Sequence, residues 1–265
     1  MKLVLRFLVP FLCIFSLTAC GVQGSYTDQL PDPADLSDPR SFEGVSDVKD
    51  FDDIEPVTDK AEPALPVELT DADGNDVTVT DASRILALDI YGTYTNTLSG
   101  LGLADNIVGR TVSSTEPNLA DLPVVTEGGH NINVEAVLEL QPTLVIADHS
   151  IGPRDAIDQI RAAGVTTVVM EPERTIDSVG EDITTLGDAL GLPNEARELA
   201  DRSTKEIDEA KEAIKKLVPD DPMRMAFLYA RGNGGVFFIM GDGTGAQDLI
   251  EGIGGVDVAA EKNLS

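Results

Sequence analysis

Two kinds of apolar pattern alternate between residues 84 and 190. Short, almost continuous apolar runs are followed by stretches in which apolar residues recur every three or four positions. Continuous runs are typical of strands buried on both faces, and the longer spacing is typical of helices. The pattern therefore predicts a mostly parallel sheet with helices on both faces. The predicted strands are Arg84–Asp89, Ile107–Gly109, Leu122–Val125, Thr143–Asp148 and Val165–Glu171, and the predicted helices are Tyr91–Leu101, Asn133–Leu140, Arg154–Ala163 and Thr175–Leu190.

Two further elements frame this region. Before it, Val67–Thr80 alternates apolar and polar residues around Asp73-Gly74-Asn75, which predicts a β-hairpin. After it, Pro193–Lys216 carries one narrow apolar stripe on a charged helix, with Asn194 as the expected N-cap. At 1.5 Å per residue this helix is about 36 Å long. Such a helix suits a rigid strut between two lobes, although a long surface helix of one domain has the same pattern.

The strand and helix pattern begins again after the strut. Strands are predicted at Arg224–Ala230 and Val236–Met240, and a helix at Thr244–Ile253. An open sheet of two strands cannot cover its faces. We therefore expect a second lobe that is truncated at residue 265, with a deliberately short second domain as the alternative.

The N-terminus has the features of an export signal. Lys2 and Arg6 flank the start of an apolar run, Leu3 to Leu17, that is shorter than a membrane span. The small residues before Cys20 resemble a bacterial lipobox, which implies cleavage before Cys20 and lipidation of its thiol. The protein would then be lipid-anchored at the cell membrane, on its extracytoplasmic face.

The next segment is acidic and poor in large apolar residues, so it is expected to be a disordered tether. It contributes to a net charge of −28, which argues against a nucleic-acid partner. The complete predicted organisation is a signal peptide at 1–20, a tether at 21–66, an N-terminal α/β lobe at 67–192, a linking helix at 193–218 and the start of a C-terminal α/β lobe at 219–265.

Scarce residue types narrow the possible chemistry. The chain has 2 cysteines and 2 histidines, and both cysteines lie in the predicted signal segment or at its lipidation site. A zinc or manganese cluster with several imidazole ligands is therefore disfavoured. The sequence also lacks a Gly-x-Ser-x-Gly elbow and a complete phosphate-binding loop, so an enzyme is disfavoured.

Ligands of open α/β sheets bind beyond the carboxyl ends of the strands. His130 follows Gly128-Gly129 and precedes a helix, which favours a free imidazole, although a structural histidine has the same pattern. Tyr229 and Arg231 are two positions apart and so share one side of an extended strand. A guanidinium beside a phenol stabilises phenolate, a hard ligand suited to ferric iron. The residues at predicted strand ends are Tyr91, Ser113–Glu116, Gly128–His130, His149 and Tyr229–Arg231.

The segments GGHNINVEAVLELQPTLVIAD, FLYARGNGG and GAQDLIEGIGGVDVA carry a resemblance that extends from Val67 to the end of the chain. They resemble the substrate-binding lipoproteins of ABC importers for iron-siderophores, cobalamin and haem. More narrowly, they are similar to haemin-binding lipoproteins of the HmuT type from corynebacteria and related actinobacteria. The resemblance implies a class III substrate-binding protein, with two Rossmann-like α/β lobes joined by one long helix.

The resemblance also implies roles for individual residues. His130 and Tyr229 would be the axial ligands of ferric haem b, which is the transported ligand, and Arg231 would pair with Tyr229. Glu135 matches a position that presents an acidic side chain to the permease. The implied partners are an ABC permease with its ATPase, cell-surface haem-relay proteins and the membrane, and the implied state is a monomer.

Two alternatives stay open. The same fold could bind a ferric siderophore or cobalamin, in which case His130 would be incidental. Tyr91 or His149 could replace one of the haem ligands, because both follow predicted strands.

Overall fold

A computed structural model describes residues 53–128, 130–171, 175–231, 236–241 and 245–264, with residues 32, 35, 38–41 and 43–44 also described. The predicted signal peptide, Cys20 and most of the predicted tether lie outside these residues.

A four-stranded parallel sheet forms the centre of the first lobe. Its order is β4-β3-β7-β8, and every neighbouring pair is parallel. The parallel sheet and the long helix after it confirm the predicted α/β class. The strands are β3 (Ile85–Leu88), β4 (Ile107–Gly109), β7 (Leu144–Ala147) and β8 (Thr166–Val169).

The apolar runs are continuous because each central strand contributes to two cores. Ile85 and Ala87 of β3 are buried in one cluster, whereas Leu86 and Leu88 are buried in the other. Alternate side chains of a strand point to opposite faces, so every position of this strand is excluded from water.

Helices cover both faces of the sheet. Leu98 and Leu186 lie in the first cluster, and Ile157 and Ile160 lie in the second.

The predicted strand Leu122–Val125 was wrong, because the segment forms only an isolated bridge between Val124 and Arg110. The helices of this lobe are α1 (Thr93–Gly100), α2 (Val134–Glu139), α3 (Arg154–Ala162) and α4 (Val179–Ala189).

The N-terminal hairpin and the segment before it lie on this lobe. The hairpin consists of β1 (Val67–Thr70) and β2 (Asp76–Val79), as predicted. Residues 53–66, which the sequence assigns to the tether, run along the lobe: the amides of Val57 and Ala64 donate to the carbonyls of Gly100 and Gly191 at 2.8 and 3.0 Å. These backbone hydrogen bonds hold residues 53–66 on the lobe, although an acidic composition of this kind is typical of disordered segments.

The long helix α5 spans Pro193–Lys215. Asn194 is not its N-cap: Pro193 is the first helical residue, and its fixed φ suits that position. The N-terminal half of α5 packs on α4 and buries Ala196, Leu199 and Ala200. The predicted strut is therefore anchored in the first lobe at its start.

The α4–α5 contact provides a stability prediction. A Cβ at Gly187 would lie 2.1 Å from the Cβ of the fully buried Ala196. We expect Gly187→Ala to lower the free energy of unfolding by about 1–3 kcal/mol through overpacking. Gly180→Ala is the matched control in α4, because its new Cβ would lie 3.1 Å from the Thr204 hydroxyl and 4.0 Å from the Ala200 Cβ, much farther than at Gly187. Urea unfolding measures both, and equal stability of the two variants would contradict the prediction.

The described residues beyond α5 form two small sheets and two helices. The predicted strand Arg224–Ala230 is two strands, and the second pairs with Val236–Met240 in an antiparallel hairpin. The first pairs in parallel with a two-residue strand near the C-terminus that the sequence analysis missed. The elements are β9 (Arg224–Met225), β10 (Phe227–Arg231), β11 (Val236–Met240), α6 (Ala246–Gly252), β12 (Val256–Asp257) and α7 (Val258–Glu261).

Candidate ligand site at the carboxyl edge of the sheet

Tyr91 and His149 follow β3 and β7, which are neighbours in the sheet, so both lie at the same carboxyl edge. Tyr91 is 58% exposed. The buried carboxylate of Asp89 fixes the turn that carries it, because Oδ2 accepts from the amides of Tyr91 and Thr93 at 3.3 and 2.8 Å. The turn thus leads directly into α1 and leaves Tyr91 at the surface.

A glycine brings the loop after β4 to this turn. Gly92 has φ +74°, and a Cβ there would lie 2.8 Å from the carbonyl oxygen of Ser113. The backbone of the turn can approach the backbone of the loop this closely because residue 92 is a glycine. In the same loop both carboxylate oxygens of Glu116 are buried, with no hydrogen-bond partner among the described residues.

His130 lies in the turn of a short hairpin that crosses the edge of the sheet. The hairpin consists of β5 (Thr126–Glu127) and β6 (Asn131–Ile132), which the sequence analysis missed. Its first strand is tied to the loop after β4, because Val112 N donates to Thr126 Oγ1 at 3.0 Å. The His130 side chain is partly exposed, and its Nδ1 is buried without a hydrogen-bond partner in the described part of the chain.

The hairpin is also tied to the loop after β7. Gly152 N donates to His130 O at 3.3 Å, and Ile132 N donates to Gly152 O at 2.8 Å. One residue of a neighbouring loop therefore fixes the backbone that follows the His130 side chain, whereas the imidazole Nδ1 has no hydrogen-bond partner among the described residues.

His149 is engaged elsewhere. Its Nε2 donates to Oδ1 of Asp73 at 2.8 Å, and Nη2 of Arg154 donates to the same oxygen at 2.6 Å. The hydrogen bond from His149 lowers the pKa of Asp73, and the charges of Arg154 and Arg161 act in the same direction. The sequence pattern indicates Asp73 only as a turn residue, because no local signal reveals a contact between residues this far apart in the chain.

Tyr229 is the central residue of β10 and pairs with Phe238 of β11. Its side chain is 42% exposed, and other large apolar residues of the hairpin are exposed as well. Arg231 is the last residue of β10. The structure does not describe the Arg231 side chain, and Gly129 likewise lies outside the described residues.

Glu135 is exposed in the first turn of α2. The side chain of Asn133 caps this helix by accepting from Ala136 N at 3.0 Å, and it donates to Glu127 at 2.6 Å. A carboxylate in the first turn is stabilised by the helix dipole. The cap also ties the orientation of the helix to β5, one strand of the His130 hairpin.

The described residues contain neither a candidate membrane span nor a candidate cluster of metal ligands. None of the helices there is both long and apolar enough to cross a bilayer. Within the same residues, no three His, Cys, Asp or Glu side chains are grouped so that they could hold a metal ion.

The chain is similar to a protein family in sequence and to solved structures in both sequence and fold. A family model described as "Periplasmic binding protein" matches residues 90–265. The crystal structure of the haem-binding protein HmuT is 65% identical and has a TM-score of 0.82, with coverage of 85% of this chain and 73% of that one. Three further structures are HmuT variants in which one histidine, one tyrosine or one arginine is replaced by alanine.

Curated relatives are more distant. The cobalamin-binding protein of Halobacterium salinarum is 31% identical over 206 residues, which are 76% of this chain and 53% of that protein. The ABC transporter substrate-binding lipoprotein YvrC of Bacillus subtilis is 30% identical over 159 residues, which are 59% of this chain and 50% of that protein. The chain spans about half the length of these curated relatives.

Proposed function

Because this chain belongs to the periplasmic binding protein family, we propose that it binds ferric haem and delivers it to an ABC permease. His130 and Tyr229 supply the axial ligands, and Arg231 supports Tyr229. In this proposal the protein is a carrier that performs no chemistry on its ligand, and it acts as a monomer.

One observation carries the proposal. The histidine, tyrosine and arginine replaced in the HmuT variants have the same separations along that chain as His130, Tyr229 and Arg231 have here. A haem-binding protein that is 65% identical to this chain thus carries the same three residue types at the same spacing.

The chemistry of the site agrees with haem. The porphyrin supplies four ligands to iron, so the protein needs to contribute at most two axial groups. Single residues on separate elements meet that requirement, and His130 fits it because its imidazole Nδ1 has no hydrogen-bond partner among the described residues. A phenolate opposite the imidazole favours the ferric state and fills both axial positions, which suits transport and disfavours oxygen chemistry.

Delivery requires a surface that the permease can recognise and a means of staying near the membrane. Glu135 is exposed on the helix that follows the His130 hairpin, so the permease could contact it when haem is bound. Lipidation of Cys20 would anchor the protein on the extracytoplasmic face, and the relative YvrC is described as a lipoprotein. Cell-surface haem-relay proteins would be the upstream donors.

Titration of the purified protein with haemin tests the function. We expect saturable binding at one site and the absorption spectrum of six-coordinate ferric haem. Cyanocobalamin and a ferric hydroxamate siderophore serve as competing ligands, because the similarity to the cobalamin-binding protein makes cobalamin the second candidate. Saturable binding of either competitor, with haemin bound only nonspecifically, would overturn the proposal.

A further inference from the structure

The turn of the N-terminal hairpin is built more firmly than a hairpin turn requires. Asp71, whose side chain is fully buried, accepts from the amides of Asp73 and Asn75 at 3.1 and 2.8 Å. Its other oxygen accepts from Nη2 of Arg161 in α3 at 2.7 Å. Asp71 therefore maintains the turn and fixes it to the lobe without any help from the Asp73 side chain.

The Asp73 side chain is directed outward from this fixed turn to the sheet edge. It is 12% exposed and accepts from His149 and Arg154, which are the two ends of the loop 149–154. One carboxylate therefore holds both ends of that loop. An ionised carboxylate makes charge-assisted hydrogen bonds with its donors, and these are stronger than neutral ones.

The middle of the same loop holds the His130 hairpin. Gly152 donates to His130 O and accepts from Ile132 N, and Ile151 is buried in the same apolar cluster as Ile132. Displacement of the loop would therefore move the backbone from which the His130 side chain projects. A short series of contacts thus connects Asp73 to the proposed iron ligand.

We propose that Asp73 is a positioning residue for His130, because it pins the loop 149–154 whose Gly152 holds the His130 backbone. This inference rests on the proposed function for its consequence in haem binding. It also gives His149 a role as a loop anchor in place of direct contact with the ligand. The hairpin at Val67–Val79, which precedes the residues matched by the family model, becomes part of the site.

Hydrogen exchange in the ligand-free protein tests the coupling without haem. Asp73→Ala should accelerate exchange of the Gly152 and Ile132 amides by about tenfold, because pinned segments open less often than free ones. Asp76→Ala is the matched control: Asp76 lies on the same hairpin, and among the described residues its carboxylate accepts only from Thr70 of that hairpin, at 2.9 Å. Unchanged exchange in Asp73→Ala would overturn the coupling.

Haemin binding tests the consequence. Asp73→Ala should weaken binding by about 10-fold, as loss of a group that orients a metal ligand typically does. Its ferric spectrum should shift toward that of His130→Ala. Asp73→Asn, which keeps an acceptor, should lie between the parent and Asp73→Ala, and Asp76→Ala should match the parent. If Asp73→Ala exchanges faster but has the parent spectrum and affinity, Asp73 is only structural and the proposal fails.

The hydrogen-exchange and haemin-binding experiments test the role of Asp73 and the proposed function separately. If the unaltered protein does not bind haemin, the proposed function fails and with it the role of Asp73 in haem binding. The exchange experiment still decides whether Asp73 holds the backbone of His130.

Discussion

Replacing His130 by alanine is expected to weaken haemin binding by about 100-fold or more, because loss of a ligand costs more than loss of the group that orients it. The remaining complex should change from six-coordinate to five-coordinate ferric haem, with one axial position open to water. The fold should be unaffected, since the hairpin around His130 is held by its backbone and not by the imidazole. Absorption and electron paramagnetic resonance spectra measure the coordination, and circular dichroism measures the fold.

Two comparisons make this result specific. Added imidazole should restore the six-coordinate spectrum of His130→Ala, because it can occupy the vacated position. His149→Ala makes the same change at the other histidine of the chain. Since His149 binds Asp73, its loss should produce the smaller effect expected of Asp73→Ala. If His149→Ala abolished the axial signal and His130→Ala did not, His149 would be the ligand and the assignment of His130 would be wrong.

The sequence predicted the central sheet well because its strands are buried on both faces. Such strands read as continuous apolar runs, and the strand Ile107–Gly109 was predicted with the bounds that the structure gives. The long helix was also correct to within one residue, since a stripe repeated over many turns is a strong signal. These elements determine where the carboxyl edge lies, and therefore where Tyr91 and His149 are found.

Elements that depend on distant contacts were not predictable in the same way. Each strand of the His130 hairpin is two residues long, which is too short to show a period. Residues 53–66 resemble a tether in composition, but backbone hydrogen bonds, which leave no trace in side-chain chemistry, hold them on the lobe. The link from Asp73 to His149 spans two elements that no local pattern connects.

The proposed iron ligand has a signal in the sequence, whereas the residue that holds its backbone has none. The signal for His130 is a histidine after two glycines in a chain with 2 histidines, although the strand predicted before it does not form. Nothing local indicated that Gly152 would hold its backbone. A ligand residue can be recognised by its own chemistry, whereas the residues that orient it are identified by what they touch.

Tyr229→Phe is expected to remove the phenolate ligand while keeping the aromatic ring. The phenolate-to-iron charge-transfer absorption should disappear, and haemin affinity should fall by about 10-fold or more, because one of two axial bonds is lost. The hairpin should persist, since its pairing with β11 is through the backbone and the Tyr229 ring is already 42% exposed. Resonance Raman spectroscopy of the ferric complex detects the phenolate modes directly.

Tyr91→Phe is the matched control, because it removes one hydroxyl from another exposed tyrosine, at the carboxyl edge of the first lobe. It should leave the charge-transfer band in place. Loss of the band in Tyr91→Phe, with the band retained in Tyr229→Phe, would move the ligand to the turn before α1 and place both iron ligands in the first lobe. A band that persists in both single variants and in the double variant would mean that no tyrosine at either position binds the iron. The proposed arrangement, with one ligand from each side of the long helix, requires that Tyr229 alone carries the band.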